Sequence, residues 1–508
     1  MSSLSIPSQI DVLVVGGGTS GAALAGILAR DTSLNIVLLE AGPDPGPLDS
    51  GRWPAELLDA RSFGLTHDWD YAGFHHAAQA EHAAFPRARH IGGSGAHNGC
   101  VAVVGHRRDY DAWETLGNPG WGWESVAPAF ERAKQALRER VPAESELAPF
   151  QHAFLDAAVA AGFPRVADLN DPDIVEGVAP APFNIHDGVR WNAALGYLDP
   201  VRGKSNLTIV PHALVDRVIL DGDRAVAVEA LVQGERRTFE AGRIVLSGGA
   251  YGSPAILMRS GIGEPAMLRD LGLDVAHALP GVGRALTDHP IASLLLQASE
   301  RLQQSMDDFS SSGWLPDEQV VLLARSSGCR EAFDLHFPAY SNRDPLTGEW
   351  RYVISAAQFY TISAGALTLT SADPAAMPVI DHGYLTDPNA IDCTTLADGL
   401  EIALRIADRL REAGAIDRVT SPATALSRDD LCRYVEMTVR TCYHPACSSR
   451  MGPASDPLAV VDASGRVHGL TGLYVCDASI FPVLPRANTN LPAAMVAEHL
   501  AQGIADNR

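Results

Sequence analysis

A chain of 508 residues, 46% hydrophobic and 20% charged, can bury a large core and is long enough for about three domains, or for one α/β enzyme with an inserted domain. Its formal net charge of −22 argues against nucleic acid or an anionic membrane surface as a partner. The first ten residues are polar, no apolar run approaches the roughly 18 residues of a membrane span, and the seven cysteines show no C-x-x-C spacing. The expectation is therefore a cytoplasmic protein without a disulfide framework or a zinc site.

The first element is Asp11-Val-Leu-Val-Val-Gly-Gly-Gly-Thr-Ser-Gly21. Val12 to Val15 form a short β-branched run, the pattern of a strand buried on both faces. Gly16, Gly18 and Gly21 follow at G-x-G-x-x-G spacing, and an Ala/Leu-rich helix continues from Ala22. These glycines allow a tight turn, close approach of backbone to a pyrophosphate and close helix–strand packing. The helix N-terminus offers free N–H groups and a positive dipole end to phosphate. A second apolar strand, Asn35-Ile-Val-Leu-Leu39, ends in Glu40, about 20 residues past the glycines, where a carboxylate reaches a ribose hydroxyl. A dinucleotide site is expected, and on this stretch alone NAD and FAD both fit.

Ala41 to Pro47 reads as a loop, and Ser50 to Ala84 as irregular structure over the nucleotide. Arg87 to Cys100 is a second glycine-rich loop. Helices are predicted over Asp109–Leu116, Trp123–Arg140 and Pro149–Ala161. Leu207–Val210, Leu214–Leu220, Ala225–Val232 and Arg243–Leu246 read as strands, with Asp221-Gly222 as a hairpin turn. Gly248–Gly263 and Gly281-Val-Gly283 are further glycine-rich stretches. Ile291–Tyr360 alternates strand-like runs with polar loops, Leu396–Ala413 is an amphipathic helix, and Ser464–Cys476 and Asn488–Ile504 return to strand and helix patterns.

Four separated motifs resemble the glucose–methanol–choline family of FAD-dependent oxidoreductases, over nearly the whole chain. They are the fingerprint ending in Glu40-Ala-Gly; Ala88-Arg-His-Ile-Gly-Gly-Ser-Gly-Ala-His-Asn98; Gly249-Ala-Tyr-Gly-Ser-Pro-Ala-Ile-Leu-Met-Arg-Ser-Gly-Ile-Gly263; and a C-terminal set. The last comprises Tyr443-His444-Pro, Val475-Cys-Asp-Ala-Ser-Ile-Phe-Pro482 and Ala487-Asn-Thr-Asn-Leu-Pro492. The resemblance implies FAD as cofactor and an α/β fold: a Rossmann-like FAD-binding domain joined to a substrate-binding domain built on an antiparallel sheet with helices. It implies a discontinuous FAD-binding domain over 8–151, 184–299 and 440–508, and a substrate-binding domain over 152–183 and 300–439. Two positions depart from the commonest family pattern. Gly95 replaces a Ser or Thr, and His97 replaces a small apolar residue. In the choline-oxidase-like branch a His at the latter position is bonded to the flavin methyl group, so His97 is a candidate covalent anchor.

Oxidising an alcohol removes a proton from the hydroxyl and a hydride from carbon, and the flavin takes the hydride. The protein must supply a base and a hydrogen bond to the developing alkoxide. His444 is similar to the family's active-site His and is the candidate base. Asn488, matching the second catalytic position, donates but cannot titrate. His336, in Asp334-Leu-His-Phe-Pro338, and Tyr443 are candidate substrate contacts. By the same resemblance, Gly16, Gly18, Thr19 and Ser20 face the pyrophosphate, Glu40 the adenosine ribose, and Ala41 also touches the cofactor. Arg89, Gly93, Asn98, Gly99 and Cys100 lie under the flavin ring and ribityl chain. Val215 contacts adenine, Asp477 and Ala478 the ribityl end, and Thr489 the pyrimidine edge. His67, His75, His76, His82 and His90 read as solvated loop or lid residues, and no metal-ligand spacing is present.

The expected activity is oxidation of a small primary alcohol to an aldehyde with release of hydrogen peroxide. The alternatives are a dehydrogenase using a non-oxygen acceptor, and a hydroxynitrile lyase with a structural flavin. Trp53-Pro-Ala and Phe183–Arg190 resemble the pyridoxine-type branch, whereas His97 and Asn488 resemble the choline-type branch. No glutamate suited to a quaternary ammonium aligns, so a small aromatic or heteroaromatic alcohol is the expected substrate. Oxygen or another electron acceptor completes the partner set, with no nucleic acid and no membrane, in a monomer or homodimer.

Overall fold

In the computed structural model, Val12–Val15 takes the centre of a five-stranded sheet, fully buried as its sequence demands. The description covers residues 6–507 apart from 62, 80–81, 313–315, 317, 345–346 and 423–425. Parts of the expected irregular stretch 50–84 and of the alternating stretch 291–360 therefore lie outside the described residues. The strand order is Leu473–Val475, Arg243–Leu246, Val12–Val15, Ile36–Leu39 and Leu207–Val210, every pairing parallel. The helix Thr19–Asp31 packs on this sheet beside the C-terminal helix Asn490–Asp506.

The second layer is a seven-stranded antiparallel sheet. Its path is Ile416–Ser421, Pro290–Ala298, Trp350–Gln358, Leu335–Arg343, Val320–Ala324 and Gly177–Pro180, with Arg440–Thr441 paired to the head of Pro290–Ala298. Alternation sorts its side chains. Ala292, Leu294, Ile354, Ala356, Leu335 and Phe337 bury into one apolar core under the helices Pro149–Ala160, Ile391–Glu412 and Arg428–Thr438. The opposite face turns toward the first layer. The strand Pro290–Ala298 belongs to this sheet, although the expected division at residue 299 groups it with the FAD-binding part.

Most elements fall where the sequence places them, and the exceptions have local causes. The helix from Trp123 stops at Ala136 rather than Arg140, because Arg138 takes a positive φ and Arg140 pairs with Phe183. The hairpin turn is Gly222-Asp223, one residue later than expected, since Asp221 still pairs with Arg224. Glu300–Ser312, inside the stretch read as alternating strands, is a helix. Arg428–Thr438 is a further helix, capped by the Ser427 hydroxyl accepting from the Asp430 N–H. Among the described residues, no helix is long and apolar enough to cross a membrane, and no group of three or more His, Cys, Asp or Glu residues is placed to hold a metal ion.

Candidate active site

The glycine turn builds one end of a cleft of about 600 Å³ that runs between the two sheets. Gly18 precedes the helix Thr19–Asp31 without a side-chain cap, so the N–H groups of the first turn point into the cleft unused. Helix Asn490–Asp506 also begins there, uncapped, at Thr489. The two starts are joined by the Thr19 hydroxyl donating to Asn490 Oδ1 at 2.7 Å. A Cβ on Gly93 would sit 2.5 Å from the Gly18 Cα, so the second glycine loop presses directly on the first. Gly95 lies at the same junction: a Cβ there would stand 3.1 Å from Thr19 Oγ1 and 3.2 Å from Asn490 Oδ1. The missing family hydroxyl thus leaves room for the bond between the two helix starts.

Glu40 is buried, and its two carboxylate oxygens accept the N–H groups of Gly17 and Gly42, each at 2.7 Å. Burial pushes its carboxyl up, against those two bonds. Asp477 accepts from the Gly249 N–H at 2.8 Å, the Ser253 hydroxyl at 2.6 Å and the Ser479 N–H at 2.8 Å, which ties the third glycine-rich stretch to the C-terminal strand. Free helix N-termini beside a buried carboxylate and glycine backbone fit a dinucleotide with a pyrophosphate in its middle.

Every expected cofactor residue except one lines this cleft: Gly16, Gly18, Thr19, Ser20, Glu40, Ala41, Gly93, His97, Asn98, Gly99, Cys100, Val215, Asp477, Ala478 and Thr489. The exception is Arg89, whose guanidinium lies 4.8 Å above the Trp69 ring. Arg87 lines the cleft instead and donates to the Tyr443 carbonyl at 3.0 Å. His97 is buried, with burial pushing its pKa down to about 4, so its ring is neutral. Its Nε2 bonds the Thr66 carbonyl at 2.7 Å and must carry the proton. The lone pair is left on Nδ1, 3.7 Å from Asp68.

Beyond His97 the cleft reaches His444, Asn488 and Tyr443, all on its wall. Asn488 Nδ2 stands 3.3 Å from His444 Nε2. An amide nitrogen only donates, so Nε2 is the accepting, unprotonated nitrogen. The ring is neutral, since burial, opposed by Asp288 and assisted by Arg87, lowers its pKa to about 4. Its one proton is therefore on Nδ1, which faces His289 Nδ1 at 3.0 Å. His289 is fully buried, and burial together with His444 and His336 drives its pKa well down. It accepts through Nδ1 and keeps its own proton on Nε2. The His289 ring stacks on Phe359 at 4.1 Å and fixes the second imidazole in place.

The backbone is held as firmly. Asp288 Oδ1 accepts the N–H groups of His444 at 2.7 Å and His289 at 2.8 Å. Its Oδ2 accepts the Tyr384 hydroxyl at 2.6 Å and the Thr441 hydroxyl. The sequence reading missed Asp288 and His289, although an Asp-His pair heading an alternating strand was there to be seen. His336 corrects another expectation: it stacks on Phe359 at 4.3 Å, in the layer under the cleft surface rather than on it. Burial pushes its pKa down to about 3. His75 and His90 are buried rather than solvated. Trp53 and the segment Phe183–Arg190 do not line the cleft; the buried Arg190 instead donates to the Leu57 and Asp59 carbonyls.

A dinucleotide cradle that opens onto an imidazole paired with an amide is the arrangement of a dinucleotide-dependent oxidoreductase. Residues 10–291 and 361–497 match the GMC oxidoreductase family. The chain belongs to that family, binds FAD and is an oxidoreductase of the kind acting on CH–OH donors. It is 32% identical to 5-(hydroxymethyl)furfural oxidase of Methylovorus sp., over 97% of this chain and 98% of that one. It is 32% identical to the oxygen-dependent choline dehydrogenase of Stenotrophomonas maltophilia, over 99% and 96%. The solved structure of pyridoxine 4-oxidase from Mesorbium loti superposes with a TM-score of 0.86 at 28% identity, covering 97% of this chain and 99% of that one.

Proposed function

We propose that this protein is an oxidase of small primary alcohols, yielding aldehyde and hydrogen peroxide. The observation that carries the reading is the His444–Asn488 pair on the cleft wall, where the imidazole is neutral and its unprotonated Nε2 stands 3.3 Å from the Asn488 amide. FAD, when bound, supplies hydride acceptance. The alcohol hydroxyl replaces the bond between the pair, donating to His444 Nε2 and accepting from the Asn488 amide. His444 Nε2 takes the hydroxyl proton, and the Asn488 amide donates to the alkoxide as charge develops. His289 holds His444 in the tautomer whose lone pair is on Nε2, and Asp288 anchors the backbone of both. Arg87 and Tyr443 flank the cleft mouth.

The cofactor roles given above for the cleft-lining residues belong to this reading, as does the two-part division, with Pro290–Ala298 moved to the substrate side. The neutral His97, with a lone pair on Nδ1, has the state needed to bond a flavin methyl carbon, so covalent attachment there is part of the proposal. The relatives named above are oxidases and a dehydrogenase, which sets the lyase alternative aside. The deciding experiment is anaerobic bleaching of the flavin by a panel of primary alcohols, followed by air. Rapid recolouring with peroxide supports an oxidase. Bleaching that only an artificial acceptor reverses makes the enzyme a dehydrogenase, and no bleaching by any alcohol removes the reading.

A further inference from the structure

Past His444 the cleft follows the inward face of the antiparallel sheet, and its chemistry changes in steps. Ile291 is cross-strand from Ala357 and beside Arg440, at the head of the segment that leads to His444. The next inward position on the same strand is Ser293, directly opposite Ser355. The step after that brings Val353, paired with Tyr340 on the neighbouring strand. Ile291, Ser293, Ser355, Val353 and Tyr340 all line the cavity. Two residues along a strand advance about 6.8 Å, so the serine pair lies one such step beyond Ile291, on the side away from the segment that carries His444. A ring oxidised at His444 and Asn488 points its far side along this face.

The serine hydroxyls lie 2.8 Å apart, with Ser355 buried and Ser293 partly so. One hydroxyl donates to the other, which uses one of their two O–H groups and leaves the second for another acceptor. Among the described residues, neither Oγ has another hydrogen-bond partner. The adjacent inward positions Ile291, Ala357 and Val353 are apolar, and Tyr340 and Asn342 line the cavity further along, so the hydroxyl pair is a polar spot between apolar neighbours. Arg87, Glu318 and Arg440 are the charged residues among those described that line this end of the cavity, and the hydroxyl pair itself calls for a neutral partner.

We propose that Ser293 and Ser355 form a subsite for a neutral hydrogen-bonding substituent, so that the preferred alcohol is a small aromatic ring with CH₂OH on one side and a hydroxyl or oxo group opposite. This rests on the alcohol-oxidation reading, and the test separates the two. With FAD-loaded protein, kcat/KM is compared for 4-hydroxybenzyl and 4-methylbenzyl alcohol, which have nearly the same shape. The Kd of each corresponding aldehyde is read in parallel from the flavin spectrum, without turnover. The native chain should prefer the hydroxyl member in both measurements, by about tenfold, the range of one neutral hydrogen bond. In Ser293→Ala and Ser355→Ala the ratio should collapse towards one while melting temperature and FAD content hold. Equal ratios in native and variant protein, or no aldehyde preference in the native protein, overturn the subsite. An aldehyde preference that the variants lose, with neither alcohol oxidised, keeps the subsite and overturns the alcohol-oxidation reading.

Discussion

His444 owes its state to its neighbours, not to its residue type. A histidine in water titrates near 6.5, but burial brings this one to about 4. Acid inactivates a base by protonating it, so a lowered pKa moves the acid limb of kcat/KM downward, well below pH 6.5 and toward 4. A limb at 6.5 would show an imidazole open to water. His444→Ala should cut turnover by at least about 10²-fold while FAD stays bound. His289→Phe keeps a ring to stack on Phe359 but removes the acceptor for His444 Nδ1–H. An orphaned buried donor costs about 1–3 kcal/mol, so kcat should fall roughly tenfold with KM little changed. For His97, acid precipitation should leave yellow colour in the pellet, and His97→Ala should release it. Sequence alone points to His444 and Asn488 because motif residues flank each. It does not point to the His289–His444 contact, since 155 residues separate the pair and only the sheet brings them together.

At the scale of elements, legibility follows period and punctuation. Val12–Val15, Leu207–Val210 and Arg243–Leu246 are found to the residue because each is a short apolar run cut off by glycine, proline or charge. The helix Glu300–Ser312 is hidden in a polar stretch, yet Leu302, Met306 and Phe309 keep helical spacing and pack on the substrate-side core. Arg428–Thr438 announces itself only through Ser427 and Asp430, a capping signal easily lost among neighbouring charges. The junction of the glycine loops is the element most exposed to a single change. Gly93 has φ of +55° and no space for a Cβ against Gly18. Gly93→Ala should therefore displace the start of helix Thr19–Asp31 and lower the flavin-to-protein absorbance ratio at least severalfold. Full FAD occupancy in that variant would show that the two loops move apart freely.

For the whole molecule, the cofactor cleft is the seam between two apolar cores, one around the parallel sheet and one under the antiparallel sheet. A ligand held along that seam adds its binding energy to the stability of both parts. Free FAD at about a hundredfold over its Kd should add about 2.7 kcal/mol, and melting temperature should rise with FAD concentration. If attachment through His97 proves covalent, the comparison is with His97→Ala, in which exchange is free; melting that ignores added FAD there would mean the cofactor does not bridge the cores.

The bond between Thr19 and Asn490 joins residues 471 positions apart. During synthesis on the ribosome, the glycine turn emerges early and must wait for nearly the entire polypeptide before the opposing helix start arrives to complete the cleft. Loading with flavin is thus a late event in biogenesis, and until then the apolar flanks of the open seam are exposed to chaperones and to self-association.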